Sequence, residues 1–94
     1  MKTTYIGTFA LTDKQKRKLE ETITSACFDK GNNYSAEIRV YPYHEMISIK
    51  IYPPEDSRYV SFHYCELEFI GKILGMPFAF CDLFPGGLEL TYMK

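Results

Sequence analysis

The sequence predicts an α+β fold of the ferredoxin-like split βαβ type, in which two helices cover one face of an antiparallel sheet. Two stretches have the apolar spacing of helices, and each follows a stretch with the composition of a strand. Two alternating runs separated by four residues lie between the helices. The predicted order is β-α-β-β-α-β, with a further C-terminal hairpin as an option. Residues 1–94 suffice for a single globular domain with one hydrophobic core.

The first strand and the first helix are predicted from the opening residues. TTYIGTFA is rich in β-branched and aromatic residues, and alternation places Ile6 and Tyr5 on opposite faces of the strand. The following run, LTDKQKRKLEETITSACFDKG, has apolar residues at helical spacing. Thr12 and Gln15 have the spacing of a capping box at its start, and Gly31 is the predicted end.

A β-hairpin is predicted from the runs SAEIRVY and MISIKIY, which the four residues PYHE connect. Ile38 and Val40 would share a buried face with the isoleucines at positions 47, 49 and 51. The alternating residues would form the opposite face of the hairpin: Glu37, Arg39, Tyr41, Ser48, Lys50 and Tyr52.

The second half of the chain predicts a core segment, a helix and two short strands. In RYVSFHY, residues 58–64, an extended backbone would turn Val60 and Phe62 toward the core and leave Arg58 and Tyr59 for a partner. The next apolar stripe predicts a helix ending at Gly75. Its members are Phe62, Phe69, Ile70, Ile73 and Leu74. Strands are predicted for Phe78–Asp82 and Leu88–Tyr92, around an F-P-G-G turn.

Composition excludes several classes of protein. The net charge is −1, from 11 basic and 12 acidic side chains, so no overall field attracts nucleic acid. No apolar run approaches the roughly 20 residues that span a bilayer. The N-terminal residues lack the apolar segment of a secretory signal, so we expect a cytoplasmic protein without a membrane partner. The three cysteines have no C-x-x-C spacing, which favours reduced thiols.

Catalytic and cofactor sites are not predicted. Cys65 lies two residues from His63, but positions two apart on a helix point away from each other, and we expect the helix to begin there. A metal site built from His44, His63, Cys65 and Cys81 would have suitable ligand types but no motif spacing. We therefore expect no enzyme activity, no cofactor and no metal.

A nucleic-acid-binding sheet is the alternative function. TYIGTF and the following LTDKQKRKLEETI resemble the first strand and first helix of RNA-recognition motifs, which stack bases on aromatic side chains of an exposed sheet face. The second consensus of that family requires two aromatic residues on one face of another strand. MISIKIY supplies one, Tyr52, so membership is not assigned. The remaining basis for single-stranded nucleic-acid binding is a patch of Tyr5, Lys50 and Tyr52.

The leading prediction is a non-catalytic module that binds another macromolecule, most readily a protein. Tyrosine and arginine are enriched in binding hot spots, and several lie at predicted non-core positions. The predicted partner-binding residues are Tyr41, Tyr43, His44, Tyr52, Arg58 and Tyr59. A stoichiometric inhibitor is the narrower form of this prediction, of the kind that phages and mobile elements encode against host defence nucleases, such as anti-CRISPR proteins. Uncovered sheet edges also leave a homodimer open.

Overall fold

The computed structural model describes residues 1–54 and 60–94. The described elements confirm the predicted order of helices and strands, including the additional C-terminal hairpin. They are β1 (Lys2–Ile6), α1 (Asp13–Ser25), a 3₁₀ turn (Phe28–Gly31), β2 (Ser35–Tyr41), a second 3₁₀ turn (Pro42–His44), β3 (Met46–Tyr52), α2 (Tyr64–Leu74), β4 (Phe78–Phe84) and β5 (Gly87–Met93).

The five strands form one mixed sheet in the order β1-β2-β3-β5-β4. β1 and β2 are parallel neighbours, whereas every other adjacent pair is antiparallel. The predicted ferredoxin-like order is not confirmed, and the prediction of a purely antiparallel sheet is wrong. The reason is the first crossover: α1 returns the chain to the position directly beside β1, so this unit is an unsplit βαβ. The second unit is split, because β5 lies between β3 and β4.

The core lies between the sheet and the two helices. The register aligns Ile38, Ile49 and Leu90 across the three central strands, and all three are buried. Leu19 and Ile23 of α1 pack onto this surface, as does Ile70 of α2. The predicted buried face of the hairpin is therefore confirmed. The four-residue connection between β2 and β3 is confirmed too, since Tyr41 and Met46 are paired.

α1 begins as predicted but ends earlier. The Gln15 N–H donates to Thr12 Oγ1 at 3.1 Å, and the Thr12 N–H donates to Gln15 Oε1 at 2.9 Å, which completes the capping box. The predicted end at Gly31 is wrong, because the helix stops at Ser25. Beyond it the chain pairs with a distant segment: Cys27 forms a bridge with Val60, and the Ser61 N–H donates to Ala26 O at 2.8 Å.

α2 ends at Leu74 and is capped by Gly75, which has a left-handed φ of 74°, so the sequence places this end correctly. Val60 and Phe62 pack against the core, so their predicted role is confirmed. Phe69 is not part of the apolar stripe that faces the core, since 42% of it is exposed and Leu67 packs there instead. Neither described helix is long and apolar enough to cross a membrane.

Candidate functional site

The face of the sheet opposite the helices is the candidate site, and we call it the open face. Both helices contact the other face: the Tyr5 hydroxyl donates to Glu20 of α1 at 2.9 Å, and the Tyr92 hydroxyl donates to Leu67 O of α2 at 2.9 Å. Strand register then assigns the open face to the alternate residues. They are Lys2, Thr4 and Ile6; Ser35, Glu37, Arg39 and Tyr41; Met46, Ser48, Lys50 and Tyr52; Phe80, Asp82 and Phe84; and Glu89, Thr91 and Met93.

One end of the open face is apolar and aromatic. Tyr41, Met46 and Met93 are aligned in one row across β2, β3 and β5. Tyr43 lies in the 3₁₀ turn just beyond this row and is 97% exposed. We call these four residues the hairpin patch. The turn beneath them is held in place, because the Lys94 N–H donates to Glu45 O at 3.2 Å.

The centre of the open face is polar, and two of its residues are buried. Ser48 and Thr91 are directly opposite each other and only 2% and 3% exposed, although no described helix covers them. The Ser48 hydroxyl donates to Glu89 Oε2 at 2.6 Å. Arg39 and Glu37 form an ion pair at 3.1 Å. The Glu89 side chain therefore helps to cover Ser48 on the open face.

The far end of the open face carries a second aromatic group. The rings of Tyr52 and Phe84 meet edge to face with centroids 5.5 Å apart. Lys50 Nζ lies 6.0 Å from the Phe84 centroid. Since β3 runs from Met46 to Tyr52, roughly 20 Å of strand separates this pair from the hairpin patch.

The predicted partner-binding residues therefore divide into groups. Tyr41, Tyr43 and His44 lie together at the hairpin end, around a shallow pocket of about 230 Å³ that also includes Ile6 and Arg39. Tyr52 shares the open face with Tyr41 but lies at its other end. Arg58 and Tyr59 lie outside the described residues.

The predicted nucleic-acid patch is not assembled. Lys50 and Tyr52 are on the open face, but Tyr5 is on the helix-covered face, where its ring packs edge to face on Phe9 with centroids 5.5 Å apart. Lys16 Nζ lies 4.9 Å from the Tyr5 centroid. Burial, followed by the hydrogen bond to Glu20 and the charge of that residue, raises the pKa of Tyr5. The prediction that Tyr5 stacks bases beside Tyr52 is therefore wrong, because β1 pairs its Tyr5 with the core residue Ile38.

Two of the described cysteines, Cys27 and Cys81, have raised pKa values. Burial raises the pKa of Cys27 to about 11. Burial, and secondly the charge of Asp82, raise the pKa of Cys81. A raised pKa disfavours the thiolate, which is the nucleophilic form. Cys65 lies in the first turn of α2, and His63 immediately precedes that helix. Among the described residues no group of three potential ligands could hold a metal ion.

Sequence reasoning missed part of the open face. Met46 and Met93 complete the hairpin patch, and Phe84 completes the far aromatic pair. Alternation within FAFCDLF does place Phe84 and Leu83 on different faces of the strand. Only the position of β5 between β3 and β4 brings Phe84 near the residues of β3. Comparisons with protein-family models, curated proteins and solved structures find no match to this chain.

Proposed function

We propose that the protein is a non-catalytic binding module that docks another protein on the hairpin end of its open face. The observation that carries the proposal is the hairpin patch, where Tyr41, Met46 and Met93 line up beside a tyrosine that is 97% exposed. Tyrosine and methionine are enriched at protein interfaces. Both tyrosines belong to a hairpin with regular pairing along its whole length, so docking costs little backbone ordering.

The charge of the open face favours a protein over nucleic acid. Among its described residues, the cations Lys2, Arg39 and Lys50 are matched by the anions Glu37, Asp82 and Glu89. Arg39 is also paired with Glu37. Nucleic-acid affinity depends on neutralising phosphates with unpaired lysine and arginine side chains. A charge-balanced face offers no such excess, whereas apolar and aromatic rows flanking polar groups suit a protein surface.

A stoichiometric inhibitor is the narrower form of this proposal. A non-catalytic module would act by occupying a surface of its target, and the hairpin patch is the surface that we assign to that role. The origin in a phage or mobile element, and an anti-CRISPR activity against a host nuclease, stay predictions within this proposal.

A matched pair of alanine variants tests the hairpin patch. Wild type, Tyr43→Ala and Tyr64→Ala would each be used as bait, and the affinity of the captured partner measured for each. Tyr64 is 70% exposed at the start of α2, away from the open face, so it controls for loss of any surface tyrosine. We expect Tyr43→Ala to weaken binding by about tenfold or more, as hot-spot residues do, and Tyr64→Ala to leave it unchanged.

The melting temperature separates binding from folding. An exposed tyrosine contributes little to stability, so all three proteins should unfold at closely similar temperatures. Equal binding by wild type and Tyr43→Ala would contradict the proposal. A large fall in the melting temperature of Tyr43→Ala would also contradict it, because the residue would then be structural.

Single-stranded nucleic acid at the far end of the open face is the second candidate. The observation that favours it is the Tyr52–Phe84 pair with Lys50 beside it, since an aromatic ring and a cation are the parts of a stacking site. It predicts salt-dependent binding of a fluorescent oligonucleotide that Tyr52→Ala abolishes. No binding at low salt would exclude it.

A further inference from the structure

A cavity of about 390 Å³ lies on the helix-covered side of the sheet, at the hairpin end. Val40 of β2 and Ile47 of β3, which pair with each other, line it from the sheet. Gln15 in the first turn of α1 and the last turn of α2 line it from the helices. At the opposite ends of these helices the Ser25 hydroxyl donates to Glu66 at 2.8 Å. The helices are therefore in contact at one end of the pair and separated by the cavity at the other.

The walls of the cavity are apolar. Four residues that flank the helix ends pack against the core, while part of their surface stays accessible. They are Phe9, Leu11, Ile73 and Leu74. Covering accessible apolar surface with an apolar ligand is favourable. The volume also lies within the roughly 300–1,000 Å³ of small-molecule sites, which are mostly apolar with a few placed polar groups.

The polar side chains that line the cavity can all donate hydrogen bonds. Lys72 is the one charged residue among the described lining residues, and within the described chain it has no ion pair. Gln15 Oε1 accepts from the Thr12 N–H, and the described residues give the Gln15 amide hydrogens no acceptor. Thr8 adds a hydroxyl. An ammonium and an amide donor beside an apolar cavity match a carboxylate, which only accepts.

The sign of the charge that the cavity accepts depends on Lys72. The positive end of the α1 dipole and the negative end of the α2 dipole both lie at the cavity. Their effects on a charge between them oppose each other, so the helix ends do not select a sign. Lys72 carries a full charge in the last turn of α2, and because it is also exposed it lies at the mouth of the cavity. An anionic head group is therefore the one that this site favours.

We propose that the cavity binds a small carboxylate with an apolar tail, of the medium-chain fatty-acid class. The tail would lie against Val40 and Ile47, and the carboxylate would lie at Lys72. This site goes beyond the proposed docking function and does not rest on it, since the hairpin patch is on the other face of the sheet. Protein docking and carboxylate binding can therefore succeed or fail separately.

Titration with sodium octanoate, followed by amide NMR, tests the site in wild type. We expect saturable shifts of the backbone amides around the cavity, including those of Phe9, Leu11 and Ile73. Octylamine has a tail of the same length and the opposite charge, and should bind about tenfold more weakly or less. No saturable binding of octanoate would overturn the proposal, as would shifts confined to the open face.

A charge reversal tests the role of Lys72. Lys72→Glu should invert the preference, so that octylamine binds more tightly than octanoate. Lys2→Glu makes the same change in net charge at an exposed position on the open face, and should keep the preference of wild type. Both side chains are exposed, so the two variants should unfold at temperatures close to that of wild type. An unchanged preference in Lys72→Glu, or the same change in both variants, would overturn the proposal.

A larger side chain tests the apolar part of the cavity. Ile73→Phe should occupy part of the volume and weaken octanoate binding by about fivefold or more, while Lys72 is retained. Leu83→Phe makes a comparable change on β4, at a residue that is 86% exposed and not among the lining residues, and should leave the affinity unchanged. Circular dichroism of both variants checks the fold. Equal octanoate affinity in wild type and a folded Ile73→Phe would overturn the proposed position of the tail.

Discussion

The two faces of the sheet use the same strands but bury their residues in different ways. On β3, Ile47, Ile49 and Ile51 alternate with Ser48 and Lys50. The isoleucines are buried because two helices pack on them. Ser48 is equally buried on the other face, yet it is covered by neighbouring side chains of the sheet itself. We therefore expect stability to depend mainly on the helix-covered face.

The largest expected effect is on the helix-covered face. Ile49→Ala removes a fully buried side chain between the sheet and the helices, and should lower the free energy of unfolding by about 2–5 kcal/mol. Its neighbour Lys50 points to the open face, so Lys50→Ala should change that energy by no more than about 0.5 kcal/mol. Urea denaturation of both variants measures the difference. Similar losses for the two would show that the faces do not differ as described.

A smaller effect is expected from removing one hydroxyl on each face. Tyr92→Phe deletes the hydrogen bond to Leu67 O inside the core and should cost about 1 kcal/mol. Tyr52→Phe keeps the ring that packs on Phe84, and the described residues give its hydroxyl no hydrogen bond, so stability should be unchanged. Thermal unfolding of the two variants compares them. A larger loss for Tyr52→Phe would contradict the assignment of the faces.

The dependence of stability on pH provides a second measurement of the contribution of Tyr92. Burial raises the pKa of this tyrosine above its ordinary value of 10.0. Its contribution to stability is therefore complete below pH 10 and is lost above it, because the unfolded chain then ionises first. Wild type should lose stability more steeply than Tyr92→Phe in that alkaline range.

The smallest expected effect on stability comes from the contact between α1 and α2. The Glu66 carboxylate accepts from the His63 N–H at 2.9 Å and from the Ser25 hydroxyl at 2.8 Å. These hydrogen bonds, the backbone one first, lower the pKa of Glu66 from 4.5. Because the folded pKa is the lower one, the stabilisation is present above pH 4.5 and is lost as the pH falls through the folded value.

Glu66→Gln should flatten that acid dependence. The variant cannot lose a proton at this position, so its stability near neutral pH should fall slightly while its decline below pH 4.5 becomes shallower. Chemical denaturation at several pH values measures both. Glu68, an exposed carboxylate on the same helix, supplies the control variant Glu68→Gln, which removes a carboxylate but neither of these hydrogen bonds. Identical profiles for Glu66→Gln and wild type would contradict the prediction.

Local patterns in the sequence predicted the elements and the faces of the hairpin, because alternation and capping act over a few residues. They did not predict the sheet order, since β1 joins β2, and β5 joins β3, through pairings distant in sequence. The end of α1 was missed for the same reason, as the bridge from Cys27 to Val60 is a tertiary contact. The positions of Tyr41 and Tyr43 at the tip of the hairpin could be predicted from the hairpin alone. Met93 could not, because its place beside Met46 depends on the position of β5.

The position of β5 has a consequence for how the molecule folds. β3 and β4 do not pair with each other, and β5 hydrogen-bonds to both. Until β5 inserts, the β1-β2-β3 part has an open inner edge, and β4 is tethered to it only through α2. Because β4 and β5 form a hairpin across a two-residue turn, their own ladder is local, and the non-local step is the pairing of β5 with β3, which carries the loop-closure entropy. The rate-limiting step of folding should be the docking of this C-terminal hairpin on β3, after the β2–β3 hairpin and the helices have formed.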